Sequence, residues 1–310
     1  MNNSQYVQIN KYQCHIYDNF ELYLKVEEDN YILYKKSDIP LGKIHDEDIF
    51  KKLFYKKEDK GKIYSELKRD FSVSFEENLN NGNIMGVRKN LEFMTNNMLN
   101  DVDFISKNLF FNEIKILTDA ILDNPKILEE ILLMTKYDYL TGTHSVNVMA
   151  LSINYCIHND MSFQTTMKYG IAALFHDIGK NTIPLEILEA PRKLTNLEFS
   201  QMKTHPGVGR KILLDKGFDD EIILNGCYEH HMRMDGSGYP QKVPQSDIGK
   251  LLGIIDIFEA LTNDKRLYRE AIKPFEALKT IKNECIDTNQ MSKQFYNNFI
   301  NSLKFKNFHI

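Results

Sequence analysis

Ala172-Ala173-Leu174-Phe175-His176-Asp177-Ile178-Gly179-Lys180 ends an apolar helical run with a histidine, a carboxylate and a lysine. Adjacent His and Asp are common, and His45-Asp46 repeats the pair in a charged segment with no other candidate ligand beside it. What distinguishes His176-Asp177 is its company. His144 lies upstream, and His205, His230, His231 and Asp256 lie downstream, each on or beside a segment of helical pattern. Six of the nine histidines fall between His144 and His231, so it is the clustering that needs a chemical explanation.

Working outward, His144, Val148, Leu151 and Tyr155 recur at helical spacing and set the imidazole on an apolar face. Gly179 is suited to end a helix over 168–178. Thr195 and Glu198 form a capping box, with Leu194 and Phe199 as its hydrophobic staple, and His205 comes at the far end of that helix just before Pro206. Asp219 or Asp220 can cap a helix that carries Ile223, Cys227 and His230 on one stripe and ends in His231. Asp256 sits inside the apolar run 251–258, where a lone carboxylate costs several kcal/mol unless a cation compensates it.

Four or five imidazoles with two carboxylates are too many ligands for a four-coordinate zinc site and lack the thiolates of a structural one. The mixed set suits two six-coordinate divalent ions such as iron or manganese, with Asp177 bridging them. Two ions so held would carry a hydroxide between them and clamp phosphate oxygens, which is phosphodiester-hydrolysing machinery. Lys180, at i+4 from His176, can reach a non-bridging phosphate oxygen. Asp235-Gly236-Ser237-Gly238 specifies a tight loop after the paired histidines that presents Tyr239 near the metals.

His144, His176-Asp177-x-Gly179-Lys180, His205-Pro206-x-x-Gly209, His230-His231, Asp235-Gly236-x-Gly238-Tyr239-Pro240 and Asp256 together resemble the HD-GYP family, cyclic di-GMP phosphodiesterases of the HD superfamily. The resemblance covers about 125–290. It implies hydrolysis of cyclic di-GMP to pGpG or GMP at a centre often containing iron, with His144, His176, Asp177, His205, His230, His231 and Asp256 as metal ligands and Asp177 and Lys180 as catalytic groups. Lys180, Arg233 and Tyr239 would lie against substrate. Lys265, Arg266 and Arg269 stand in the place of the family's Arg-Pro-Tyr-Arg segment, with one residue inserted, and are the further candidates for a phosphate contact. Family members with three metals carry a glutamate where this chain has Leu140, so two metals are expected. Met232 and Glu259 replace the glutamate and aspartate usual at their places. The competing readings are a hydrolase of another cyclic dinucleotide, and a catalytically weak sensor that binds the dinucleotide and signals through protein contacts.

The expected fold is mostly α: a helical HD-superfamily catalytic domain over 125–310, a helical connector over 61–124, and a small, β-rich N-terminal α+β domain over 1–60. The connector pattern breaks at Asn80-Asn81-Gly82-Asn83 and Asp123-Asn124-Pro125. In the N-terminal domain, Phe20, Leu22, Leu24 and Val26 alternate at period two and Tyr31-Ile32-Leu33-Tyr34 follows, as in a β meander. His45–Tyr55 reads as a helix with Ile49, Phe50, Leu53 and Phe54 on one face, and Lys56–Lys62 as a solvated charged loop. The N-terminal domain and connector are expected to regulate or dimerise the catalytic part. His15, His45, His158 and His309 are read as solvated.

A net charge of −4 argues against a nucleic-acid polymer as partner. No apolar run is long enough to span a bilayer, and the first residues lack the pattern of a leader, so a cytoplasmic protein without a membrane partner is expected. Cys14, Cys156, Cys227 and Cys285 are too widely spaced for a disulfide framework or zinc ribbon and read as reduced core residues.

Overall fold

The apolar run Ile171–Phe175 builds a helix turn with no exposed side, each of its five residues being fully buried. A helix apolar all round belongs at the centre of a helical domain. The computed structural model describes residues 5–9, 17–28, 30–41, 49, 51–133, 141–244, 246–263 and 271–303, and the chain forms two units, 1–74 and 75–310.

In the first unit β1 (Tyr6–Gln8), β2 (Leu22–Glu27), β3 (Asn30–Lys35) and β4 (Leu53–Lys56) form an antiparallel sheet in the order β1-β4-β2-β3. Of the expected meander only the β2–β3 hairpin forms, closing through the Glu27↔Asn30 pair, because β4 rather than β1 takes the other edge of β2. Burial fades along β2, from Leu22, fully buried, to Val26, exposed. The expected helix over His45–Tyr55 is corrected at its end. Leu53 and Tyr55 are buried with the less buried Phe54 between them, and the segment pairs with both β1 and β2. A short apolar run carries no periodicity of its own to separate helix from strand, and here the two flanking strands decide. Leu53→Ala is therefore expected to cost about 2–5 kcal/mol, as a core strand position does, read as a lower midpoint in denaturant.

The charged segment Lys56–Lys62 is not a loop. A 3-10 turn (Lys57–Asp59) leads directly into α1 (Lys60–Asn80), because the charges share that helix with one buried stripe, Ile63, Leu67, Phe71 and Phe75.

Helices are the only regular elements of the second unit among its described residues. It contains α2 (Ile84–Asn100), α3 (Lys107–Asp123), α4 (Lys126–Leu133), α5 (Thr141–His158) and α6 (Phe163–Phe175). After a 3-10 turn (Ile178–Thr182) come α7 (Leu185–Leu188), α8 (Asn196–Met202), α9 (His205–Asp215), α10 (Glu221–Glu229), α11 (Asp247–Thr262), α12 (Pro274–Ile281) and α13 (Lys293–Ser302). Both connector breaks fall where expected. A third, at 101–106, had no glycine or proline to announce it and is made by Asp101, which caps the next turn, and Ser106, which caps α3.

The central helix is α6, in contact with α3, α5, α10 and α11. It starts earlier than expected, with Ser162 accepting from Thr165 N, and ends at Phe175 with His176 as its cap. The Thr195/Glu198 capping box forms as expected. His205 does not end α8 but opens α9, because Pro206 in the first turn needs no backbone partner for its missing N–H. Asp220, rather than Asp219, caps α10. No described helix is long and apolar enough to cross a membrane. Cys156 and Cys227 are buried and free, and Cys285 is partly buried and free.

Candidate metal centre

Three of the histidines sit at helix boundaries, where backbone carbonyls lack a helical partner. Each meets the carbonyl three residues back through Nδ1: His176 with Ala173 O at 2.6 Å, His205 with Met202 O at 2.7 Å and His230 with Cys227 O at 2.8 Å. A carbonyl only accepts, so Nδ1 of each ring carries the hydrogen and Nε2 is left with its lone pair turned away from the backbone. His144, within α5, uses Glu259 instead, with Nδ1 at 2.5 Å from Oε2.

The freed nitrogens converge in two groups. Asp177, His205, His230 and His231 bring ligand atoms within 4.8 Å of one another, as do His144, His176 and Asp256. Asp177 belongs to both by geometry. Its Oδ1 lies 3.3 Å from His205 Nε2 and 3.8 Å from His230 Nε2, while Oδ2 lies 3.4 Å from His176 Nε2 and 3.8 Å from His144 Nε2. Asp256 closes the other side, with Oδ1 3.2 Å from His144 Nε2 and Oδ2 3.9 Å from His231 Nδ1. The seven side chains named from the sequence are thus together. His231, Asp256 and Lys180 keep some exposure and mark the open side.

Asp177 Oδ1 tests whether such a set fits a metal. It is buried with no hydrogen-bond partner, and the nitrogens facing it are lone pairs whose protons are committed to backbone carbonyls. Acceptors facing acceptors in a buried pocket call for a cation. The chemistry of the set, imidazole and carboxylate without thiolate, fits a divalent ion.

The electrostatics agree. Burial pushes His205 down to about 4 and His231 down to about 3, so both are neutral at pH 7. His176 and His230 are lowered by the same desolvation. Burial works against the ionised Asp177, yet its carboxyl is held well below the usual range, the Lys180 ammonium being the strongest of the charges that oppose burial. Burial also disfavours charge on His144, yet the Glu259 carboxylate and the contact with Asp256 raise it to about 10, so its Nε2 holds a proton toward Asp256 that a bound ion must displace.

Lys180 Nζ donates to Asp177 Oδ2 at 2.5 Å, from the 3-10 turn rather than from a continued helix. Tyr239 lies over the site, its ring 4.6 Å from that of His231. The loop that returns it uses its two glycines differently. Gly236 takes a positive φ of 78°, while Gly238 packs against the His231 carbonyl, where a Cβ would not fit. Arg233 sits apart from the convergent nitrogens, donating to the carbonyls of His230 and Met232. Lys265, Arg266 and Arg269 lie outside the described residues, as do Leu140, His15, His45, His309 and Cys14.

Some functional positions carried no sequence signal. Glu259, read as a departure, takes His144 on Oε2 and accepts Asn147 Nδ2 and Asn263 Nδ2 on Oε1, both at 2.7 Å. Its longer side chain therefore keeps the carboxylate support of His144. Glu229 accepts Ser246 N and Oγ, tying the end of α10, directly before the paired histidines, to the start of α11, which carries Asp256. Asn147 follows His144 by three residues, the one hint available, since i+3 shares its face of the helix.

Residues 126–287, just over half of the chain, match the family described as HD domain. This chain belongs to the HD-domain family. The HD-GYP resemblance carried by the motifs is sustained with it. Among relatives of this HD-domain chain, the cyclic di-GMP phosphodiesterase PA4108 of Pseudomonas aeruginosa is 34% identical over 163 residues, 52% of this chain and 39% of that protein. The 3'3'-cGAMP-specific phosphodiesterase 1 of Vibrio cholerae is 29% identical over 147 residues, 46% of this chain and 34% of that protein. The chain thus spans well under half the length of these curated relatives. Among solved structures, Bd1817, an HDG"Y"P protein from Bdellovibrio bacteriovorus, shares the fold with a TM-score of 0.63 at 18% identity, over 97% of this chain and 100% of that one.

Proposed function

We propose that this chain is a metal-dependent phosphodiesterase that hydrolyses cyclic di-GMP to pGpG, GMP or both. The observation that carries the proposal is the division of Asp177, one carboxylate oxygen toward His205 and His230 and the other toward His176 and His144. A single carboxylate facing two imidazole groups is what a pair of divalent ions needs. His144, His176 and Asp256 would hold one ion, His205, His230 and His231 the other, and Asp177 both. Iron and manganese suit the nitrogen and oxygen donors. When bound, the ions supply an acidified water and Lewis acidity toward phosphate oxygens.

The chain's own residues do the rest. Lys180, held beside Asp177 on the partly open side, donates to a non-bridging phosphate oxygen as charge develops there. Tyr239 walls the site and orients a base or ribose beside the scissile phosphate. Water oxygen forms the new bond to phosphorus, the bond to the 3′ oxygen breaks, and that oxygen leaves as a hydroxyl. Arg233 and one or more of Lys265, Arg266 and Arg269 complete the contacts to the second half of the dinucleotide.

Residues 125–310 would form the catalytic part and 61–124 a connector, with 1–60 an accessory domain that regulates or dimerises it. The same proposal keeps the protein in the cytoplasm. One relative acts specifically on 3'3'-cGAMP, so that dinucleotide is the second reading of the substrate, with the same residues in the same roles. The test is product analysis of anaerobically purified protein loaded separately with iron and manganese. Linear product from cyclic di-GMP, lost on chelation and regained on adding metal, is expected. Turnover of 3'3'-cGAMP alone would move the proposal to that substrate, and no turnover of either by fully loaded protein would end the hydrolase reading.

A further inference from the structure

Arg88 lies in α2, upstream of residues 126–287, and is buried. Its guanidinium makes three sets of contacts. Nε pairs with Glu92 at 2.9 Å, one terminal nitrogen donates to Ile131 O at 2.5 Å at the end of α4, and the other donates to Asn147 Oδ1 at 2.9 Å. An ion pair with Glu92 and a capped helix would account for the first two. The third begins a chain of hydrogen bonds that ends on the metal centre.

Each link of that chain has a direction fixed by a group that can act in only one way. A guanidinium only donates, so the oxygen of the Asn147 amide faces Arg88 and its NH2 faces the other way. That NH2 donates to Glu259 Oε1, which also takes the Asn263 amide. A carboxylate only accepts, so with Oε1 taken by two amides, Oε2 receives the Nδ1–H of His144. Holding the proton on Nδ1 leaves Nε2 directed at His176 Nε2 and Asp256, 3.2 Å from each.

We propose that Arg88 is a positioning residue for the metal centre, acting through Asn147 and Glu259 to fix the ring of His144 with Nε2 turned toward the ion. The proposal rests on reading His144 as a metal ligand. It makes α2, a helix outside the matched family segment, part of the machinery that sets affinity at one of the two ions. In the other group, His205 and His230 take their orientation from helix-end carbonyls and not from Arg88.

The test is Mn2+ binding to the metal-stripped full chain, read from free Mn2+ by electron paramagnetic resonance, with circular dichroism to check folding. Wild type should bind two ions. In Arg88→Met and in Asn147→Leu one ion should bind as before and the other about 10- to 100-fold more weakly, the usual effect of removing a group that orients a ligand. Arg88→Lys keeps a cation that can only donate and should recover much of the loss. Two ions bound with wild-type affinity by a folded Arg88→Met or Asn147→Leu protein would overturn the proposal. So would equal weakening of both ions, or an Arg88→Lys protein no better than Arg88→Met, since either would reduce Arg88 to a support of the fold. Wild type that binds no ion would instead sink the metal reading itself, and this inference with it. Because the readout needs no substrate, failure to cleave cyclic di-GMP leaves its outcome unaffected.

Discussion

Asp177→Ala is expected to remove metal binding and turnover together, the largest effect of any single substitution in this chain. Its two oxygens face the two groups of histidines with two imidazoles on each, whereas Asp256 reaches the second group only at His231, 3.9 Å away. Loss of several kcal/mol of charge stabilisation at the reacting phosphate corresponds to about a 10³-fold or larger fall in rate. The effect on the metal-free fold should be much smaller. Asp177 Oδ1 has no hydrogen-bond partner to lose, and only the Lys180 contact on Oδ2 goes with it. Thermal unfolding separates the two effects. Metal at about 100 times its dissociation constant stabilises a binding protein by about 2.7 kcal/mol, so wild type should shift upward on adding Mn2+ and Asp177→Ala should not. An Asp177→Ala protein that still shifted on Mn2+ would show that the two histidine groups hold their ions without a shared carboxylate. Asp177→Asn sharpens the point, because it keeps the shape but presents a neutral amide to the nitrogen lone pairs and should fail in the same way.

The ligands could be read in the sequence because the chemistry admits few residue types, and histidines and buried aspartates are conspicuous in apolar helical stretches. Asp256 announced itself by standing in the run 251–258. The supports could not be read. Arg88, Asn147 and Asn263 look like ordinary polar residues on helices, and only tertiary packing turns them toward Glu259. Glu259 itself read as a departure, since side-chain length matters only once the distance to His144 is known. Helix ends were misplaced by a few residues around His176 and His205 for a related reason. The carbonyls those rings bind are freed by the ends themselves, and the pattern of apolar residues continues past them. In the first unit, Leu53-Phe54-Tyr55 is too short for its own period to choose between helix and strand, and pairing with β1 and β2 made the choice.

Gly179→Ala is expected to damage the site almost as much, for a reason different from the one its place after a helix suggests. A helix-ending glycine would take a positive φ, and Gly179 is not among the residues that do. What it provides is contact. A Cβ there would fall on the His205 carbonyl oxygen and within 2.7 Å of Gly209 N, and a Cβ on Gly209 would in turn meet Cys227 Sγ at 2.5 Å and Gly179 N at 3.1 Å. The turn carrying Asp177 and Lys180 is thus laid backbone to backbone on α9, which begins at His205, with Cys227 of α10 beneath. An added methyl must push that turn away from α9 and open the gap between Asp177 Oδ1 and His205 Nε2. Overpacking of this kind costs about 1–3 kcal/mol of stability, and a displacement near 1 Å at a reacting centre costs about 10²-fold in rate. Gly207→Ala, in the same helix with open space around it, is the matched control and should be neutral or stabilising by about 0.5–1 kcal/mol. Gly179→Asn separates the two roles directly. Asparagine serves well at a left-handed helix end, so under that role it would be tolerated, whereas close packing on His205 requires it to be at least as damaging as alanine in both unfolding midpoint and metal affinity.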